Sequence, residues 1–298
     1  RRGGCEQGAI PLVDAALGGY RPDTGWDPRA VGAVAPSTEA GIAAAHNDRP
    51  DLTPLDERES DEPATFVGHW MSLETHLIDA GREAGALMAA MDTPGLAGLV
   101  RNAAVRSARL HDLGKAHPVF QETLRKSAGD EPIPISEPWA KSKRTKASRH
   151  SRPYFRHELA SALALLGGAR GLIEDDAEQD LICYLVAAHH GKIRLAIRAM
   201  PEERIPADVA APEGARIALG VIDGDELPEI TVDGQTIGPI ALDLGVMEAG
   251  TTSAGPSWTT RSGDLVQRAD LGPFRLGYLE AIVRVADWRA SALTEEQR

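Results

Sequence analysis

Between His69 and Met91 the apolar residues Leu73, Leu77, Ala80, Ala84, Leu87, Met88 and Met91 recur at intervals of three and four. That spacing lines one face of an α-helix. Four later segments carry the same stripe: "GLAGLVRNAAVRSARLHD", "RHELASALALLGG", "DLICYLVAAHHG" and "FRLGYLEAIVRVADWRASAL". Each is stopped or followed by glycine or by polar residues. Five amphipathic helices can hide their apolar faces only against one another, so the expected class is mainly α, a helical bundle. Apolar residues make up 42% of the 298, which suffices for a core, and charged residues 26%, which is ordinary for a globular chain.

Two stretches interrupt the helical pattern. Residues 127–155 contain Pro132, Pro134, Pro138 and Pro153 together with "KSKRTKASRHSR", and read as an exposed basic loop. Residues 201–273 hold Asp223-Gly224 and Asp233-Gly234 between short alternating runs such as "ARIALGVI", "EITV" and "TIGPIALDL". They read as a small β-hairpin insertion before the last helix. Residues 1–65, rich in Gly, Pro, Ala and Asp, form a loop-rich lead-in to a main domain over 66–298. The absence of an initiating methionine suggests a piece of a longer polypeptide.

Several classes are set aside. No apolar run reaches the roughly 18 residues of a membrane span, and "RRGGCEQGAI" lacks a signal-peptide core, so a cytoplasmic protein with no membrane partner is expected. Only Cys5 and Cys183 are available, and Cys183 sits in the apolar run "LICYLVAA", so no disulfide framework is expected. A formal charge of -12 argues against coating nucleic acid over the whole surface but permits a local basic channel. Neither "DLGKA" nor "HHGKI" has the first glycine, spacing and Ser/Thr of a phosphate loop, so any ATP-driven motor lies on another segment or chain.

The histidines are more informative. His76, His111, His157, His189 and His190 fall on or at the ends of four helices, whereas His46, His69, His117 and His150 lie in loops or near edges. His76 is three residues after Leu73 and four before Ala80, which places it on the buried face. His111 is seven after Ala104 on the apolar side, with Asp112 about 100° around the helix. Asp287 opens beside the stripe of Leu279, Ile282, Val283 and Ala286, where a carboxylate needs a positive partner. Singly, each has an ordinary reading: a core histidine bonded to a carbonyl, a chance doublet, a helix end at Gly191. Together they call for a cation that neutralises the carboxylates and satisfies the ring nitrogens.

The order of His76, "HDLGK" (111–115), "RHE" (156–158), "HHG" (189–191) and "ADW" (286–288) resembles the HD superfamily of metal-dependent phosphohydrolases. Within it, "SLETHLIDA", "HDLGKAHPVFQ", "RHELASALAL", "AAHHGKIR" and "LEAIVRVADWRAS" are most similar to the HD nuclease domain of the type I CRISPR-associated nuclease-helicase, over about residues 66–292. "LVDAALGGYRPDTGWDP" resembles the end of a helicase region, as in the subtype whose nuclease domain follows the motor.

The resemblance implies two metal ions. His76, His111, Asp112 and Asp287 would hold one, and Asp112, His157, His189 and His190 the other, with Asp112 bridging. Imidazole-rich ligation suits Mn, Fe, Co or Ni, with Mg or Zn as alternatives. Lys115, part of the family motif, would face phosphate oxygens and, with Asp112, belong to the catalytic set. Lys141, Lys143, Arg144, Lys146, Arg149 and Arg152 would track the backbone of a single strand, with Trp139, Tyr154 and Phe155 available for stacking. The implied function is cleavage of single-stranded DNA in type I CRISPR interference, with a helicase region in cis or in trans and an RNA-guided surveillance complex as partners. Two alternatives stay open at this point: an HD phosphohydrolase acting on nucleotides or signalling phosphodiesters, and a catalytically inactive HD interaction module.

Overall fold

The computed structural model describes residues 20–21, 25–26, 31, 66–67, 69–91, 96, 98–134, 138–143, 148–173, 175–252 and 255–293. The chain divides into two units, Arg1–Pro54 and Leu55–Arg298. The first contributes one antiparallel pair, β1 (Tyr20–Arg21) with β2 (Gly25–Trp26). The remaining expectations for residues 1–65, including the helicase-like segment, lie outside the described residues apart from these few positions.

The second unit is a helical bundle. Helix α1 (Leu73–Ala90) starts at Ser72, whose hydroxyl accepts the Thr75 N–H at 3.1 Å, and buries Leu73, His76, Leu77, Ala80, Ala84 and Met88. It packs on α2 (Gly98–Leu110) and on the last helix, α7 (Gly272–Ala292). After α2 the chain turns through His111 and Asp112 into a short 3-10 turn, Leu113–Ala116. That turn packs on α4 (His157–Leu166), which in turn packs on α5 (Gln179–Ala188). Helix α5 is buried on all sides through Leu181, Ile182, Cys183, Leu185, Val186 and Ala187. An all-round apolar helix has no solvent face to keep, so it becomes the axis of the bundle.

Two helices escape the periodic reading. Helix α3 (Pro118–Ala128) buries Val119, Phe120, Thr123, Leu124, Ser127 and Ala128. Its stripe is masked in sequence by Thr123 and Ser127, whose hydroxyls donate to Val119 O at 2.9 Å and Thr123 O at 2.8 Å and so travel inward without an unmet partner. Helix α6 (Trp258–Gln267) lies inside the span expected to be β insertion, and Ser262 bonds Trp258 O at 2.8 Å on its buried face in the same way.

The rest of the insertion is small antiparallel pairs: β6 (Ile217–Ala218) with β7 (Val221–Ile222), β8 (Glu226–Leu227) with β11 (Ile240–Ala241), β9 (Ile230–Val232) with β10 (Gln235–Ile237), and β12 (Thr251–Thr252) with β13 (Gly255–Pro256). Asp233-Gly234 turns β9 into β10 with φ of 55° and 74°, as a type I′ turn requires. "ARIALGVI" is not one strand but a hairpin, turning at Leu219-Gly220.

The segment expected to be an exposed loop, 127–155, instead contains β5 (Trp139–Lys143). This strand is the middle of a three-stranded sheet, parallel to β3 (Phe66–Val67) and antiparallel to β4 (Met71–Ser72). Ala140, Lys141 and Ser142 are all buried.

Candidate metal centre

Local rules place each polar side chain at the heart of the bundle. His76 lies on the inward face of α1. His111 and Asp112 sit where α2 ends, and their exit direction is held by the 3-10 turn. His157 opens α4, His189 caps α5 with His190 following, and Asp287 is on the buried face of α7. His76, His111 and Asp112 are fully buried, and Asp287 is 2% exposed.

The two oxygens of Asp112 face different neighbours. Oδ2 lies 3.1 Å from His76 Nε2 and 3.2 Å from His111 Nε2, while Oδ1 lies 3.0 Å from His157 Nε2 and 3.9 Å from His189 Nε2. Asp287 Oδ1 completes the first set, 3.0 Å from His76 Nε2 and 3.6 Å from His111 Nε2. His190 Nε2 completes the second, 3.2 Å from His157 Nε2. In each quartet, one ligand atom per residue lies within 4.8 Å of all the others: His76, His111, Asp112 and Asp287 in an inner group, and Asp112, His157, His189 and His190 in an outer one. The outer group is the more open. The His157 side chain is 13% exposed, whereas His76 and His111 are sealed.

The donor set suits cations. His111 Nδ1 lies 2.7 Å from Ala108 O, and His189 Nδ1 lies 2.6 Å from Val186 O. A carbonyl only accepts, so each Nδ1 donates and each Nε2 faces the centre. His76 Nε2, His111 Nε2, His189 Nε2 and both oxygens of Asp112 are buried without a hydrogen bond. Their close approaches to one another lack hydrogen-bond direction, which is the arrangement of atoms that converge on a shared ion.

The charges tell the same story. Burial pushes the Asp112 carboxyl up, but His111, Lys115 and the nearby His157 ring outweigh it and hold the group well below the usual carboxylate range. Burial also opposes protonation of His111, yet the two carboxylates carry its ring up to about 9. Burial, reinforced by neighbouring rings, holds His189 well below an ordinary histidine, and burial lowers His157. The ionised carboxylates and the depressed His157 and His189 rings are forms that ligate metals, whereas the His111 ring carries a proton that a cation would displace.

Lys115 is buried at 2% exposure, with Nζ 2.6 Å from Asp112 Oδ2 and 5.5 Å from the centre of the Phe120 ring. The six cations expected to track a strand are not equivalent. Lys141 belongs to the interior, with Nζ 3.8 Å from Asp287 Oδ1, because its strand faces it into the bundle; it is not a surface contact. Arg152 is half-buried and bonded to Asp225. Lys143 is exposed and pairs with Glu131 at 3.1 Å, and Arg149 is exposed. Arg144 and Lys146 lie outside the described residues. Of the aromatic residues, Phe155 is buried, while Trp139 and Tyr154 are partly open.

Two supporting residues had no individual role in the sequence reading. Gln121 donates from Nε2 to Lys115 O at 2.6 Å and to Trp139 O at 2.8 Å, and its Oε1 accepts the Trp139 N–H at 3.0 Å. It fixes β5 against the Lys115 turn, and the "HPVFQ" block was the available signal. His117 caps α3, with Nδ1 accepting the Val119 N–H at 3.2 Å and Nε2 3.3 Å from Asp225 Oδ2. Both of its ring nitrogens are engaged away from the centre.

A bundle that gathers four histidines and a second aspartate around a His-Asp doublet has the arrangement of an HD-type metal-binding domain. Comparison with family models makes this specific: residues 57–294 match the model described as "Cas3, HD domain". The chain belongs to that family, whose members are metal-dependent HD nucleases of CRISPR systems. No curated protein and no solved structure matches the chain. Among the described residues, no helix is long and apolar enough to cross a membrane.

Proposed function

We propose that this domain hydrolyses phosphodiester bonds of single-stranded DNA in type I CRISPR interference, using two divalent transition-metal ions. The observation that carries the reading is the division of Asp112, with one oxygen turned to each of two four-residue ligand groups. His76, His111, Asp112 and Asp287 would hold one ion, and Asp112, His157, His189 and His190 the other. The imidazole-rich sets favour Mn, Fe, Co or Ni over Mg. When bound, such a pair supplies Lewis acidity and a nucleophile derived from water at neutral pH.

The chain's own groups do the rest. Asp112 fixes the relation of the two ligand groups, and the Ala108 and Val186 carbonyls hold the His111 and His189 rings so that Nε2 faces the centre. Lys115 stands beside Asp112, where its ammonium stabilises charge that develops on phosphate oxygens during displacement. A strand would approach over His157, the partly open edge of the outer group. Exposed cations of the basic segment, Lys143 and Arg149, together with Arg144 and Lys146, would guide its backbone. A helicase region, in cis or in trans, would deliver that strand after an RNA-guided surveillance complex exposes it.

The test is cleavage of a labelled single strand by chelator-treated protein. Activity is expected to vanish in excess chelator and to return with Mn, Co or Ni. Asp112→Ala should lose both ions in metal analysis, whereas His76→Ala and His157→Ala should each weaken mainly one. Undiminished cleavage in chelator, or full metal content in Asp112→Ala, would overturn the two-metal reading. Hydrolysis of free nucleotides in preference to strands would favour the small-molecule phosphohydrolase.

A further inference from the structure

Lys141 is among the largest fully buried side chains of the protein, 1% exposed at the middle of β5. Burying an ammonium costs several kcal/mol unless opposite charge meets it. Asp287 lies within 3.8 Å, on the oxygen that also faces His76 and His111. The strand has little freedom to withdraw the side chain. It pairs with β3 on one side and β4 on the other, and Gln121 grips both backbone groups of Trp139. The inner group is sealed and the outer one opens at His157, so Lys141, buried against Asp287, adjoins the sealed group. Burial alone would raise the Asp287 carboxyl, but Lys141, with His111 and His76, keeps it well below the usual range.

We propose that Lys141 is a positioning residue that sets the cation affinity of the inner group. Its fixed positive charge neutralises Asp287 when no ion is bound and opposes an ion on that same oxygen. The inner ion is therefore held more weakly than its two carboxylates and two imidazoles alone would hold it. The outer ion binds first, and the inner one exchanges. This inference rests on the reading of both quartets as metal sites. A metal–carboxylate bond is about 2 Å long, so the ammonium and an inner ion stand roughly 6 Å apart at most. At that separation in protein surroundings the repulsion changes affinity by about tenfold or more.

The experiment is calorimetric titration of Mn into chelator-stripped full chain. The parent should show two unequal affinities. Lys141→Met, which removes the charge and keeps a long side chain, should tighten the weaker one by about tenfold or more. Lys141→Arg, which keeps the charge, should stay near the parent. In Asp287→Asn, which lacks the one carboxylate that the inner group does not share with the outer, adding Lys141→Met should leave the remaining affinity unchanged. Thermal unfolding supplies a second readout: stripped Lys141→Met should melt below the stripped parent, and saturating Mn should raise its midpoint by more than it raises the parent's. A neutral variant that folds only with Mn would also support the assignment. If Lys141→Met folds neither way, Lys141→Gln takes the same titration. An inner affinity unchanged or weakened in the neutral variant overturns the inference. A parent that binds no Mn through Asp112 overturns the metal-centre reading instead.

Discussion

Gly114, in "HDLGK", has one physical reason to be glycine, and Gly114→Ala tests it. A Cβ at this position would stand 2.0 Å from the His157 carbonyl oxygen, 2.8 Å from Ala160 Cβ and 2.8 Å from the Ser161 nitrogen. Carbon and oxygen rarely approach closer than about 3.3 Å, so the 3-10 turn and α4 would have to part by roughly 1 Å. One hydrogen bond now joins them, from the Gly114 N–H to Ser161 Oγ at 2.7 Å, and within α4 that hydroxyl donates to His157 O at 2.9 Å. Overpacking costs about 1–3 kcal/mol and a stranded buried N–H about as much again. With about 2–4 °C per kcal/mol for a domain of this size, the melting midpoint should fall by roughly 10 °C. The displacement also carries His157 from Asp112 Oδ1, now 3.0 Å away, while His76, His111 and Asp287 are untouched. Calorimetry and metal analysis of the same preparation should therefore show a lower midpoint and loss chiefly of the outer ion. Gly85→Ala in α1 is the control. Its added Cβ meets nothing within 4 Å, so the change should be neutral or stabilising by about 0.5–1 kcal/mol. If Gly114→Ala melts with the parent and keeps its metal, the close approach of this turn to α4 is wrong.

Other expectations follow from single contacts. Lys115→Ala should lower turnover on a small bis-aryl phosphodiester with modest change in its binding; an unchanged turnover would remove Lys115 from the catalytic set. Neutralising Lys143, Arg144 and Lys146 together should weaken single-stranded DNA binding and flatten its salt dependence by about 0.7 log unit per lost phosphate contact. Unaltered affinity and slope would mean that the strand enters elsewhere. Asp225 is opposed by burial, yet His117, Arg152 and the Ile222 N–H hold its carboxyl below the usual range. A carboxyl depressed on folding contributes stability above its unfolded value near 3.9, and that contribution is lost as pH falls through the folded value. Asp225→Asn should therefore lower the midpoint at pH 7 and show a shallower loss below about pH 4; parallel stability-pH curves for the two proteins would count against the pairing.

The five helices with unbroken apolar stripes are legible in the sequence because period and burial coincide there. Helices α3 and α6 are not, since Thr123, Ser127 and Ser262 enter the buried face by returning their hydroxyls to carbonyls one turn back. A hydropathy pattern scores such residues as surface, although their hydrogen bonds are met internally. The seven residues that cluster at the centre are legible for a different reason: His76, His111 with Asp112, and Asp287 stand on or beside an apolar stripe at a fixed phase, and the resemblance adds His157, His189 and His190. The division of Asp112 between two groups depends on side-chain direction, which spacing does not carry.

The basic run is where counting charge along the chain misleads. "KSKRTKASRHSR" has one composition but several depths, because β5 pairs on both edges and is covered on both faces from Ala140 to Ser142 before the chain reaches solvent at Lys143. Lys141 is carried to the interior, Lys143 to solvent, and Arg152 onto Asp225. The acidic balance of the whole chain does not conflict with the proposed binding of a polyanion, since the charges that would act on phosphate are those near the centre. Two ions, Lys115 and Lys141 would bring six positive charges against the three buried carboxylates Asp112, Asp287 and Glu158, the last 3.7 Å from His157 Nδ1. With mostly neutral imidazoles the loaded centre is strongly cationic inside a chain of net charge -12. Low-dielectric walls would focus such a field toward the opening at His157, so an anionic strand would be drawn to that edge and repelled by the acidic surface elsewhere. Specific capture by this chain is then a property of depth and not of overall charge.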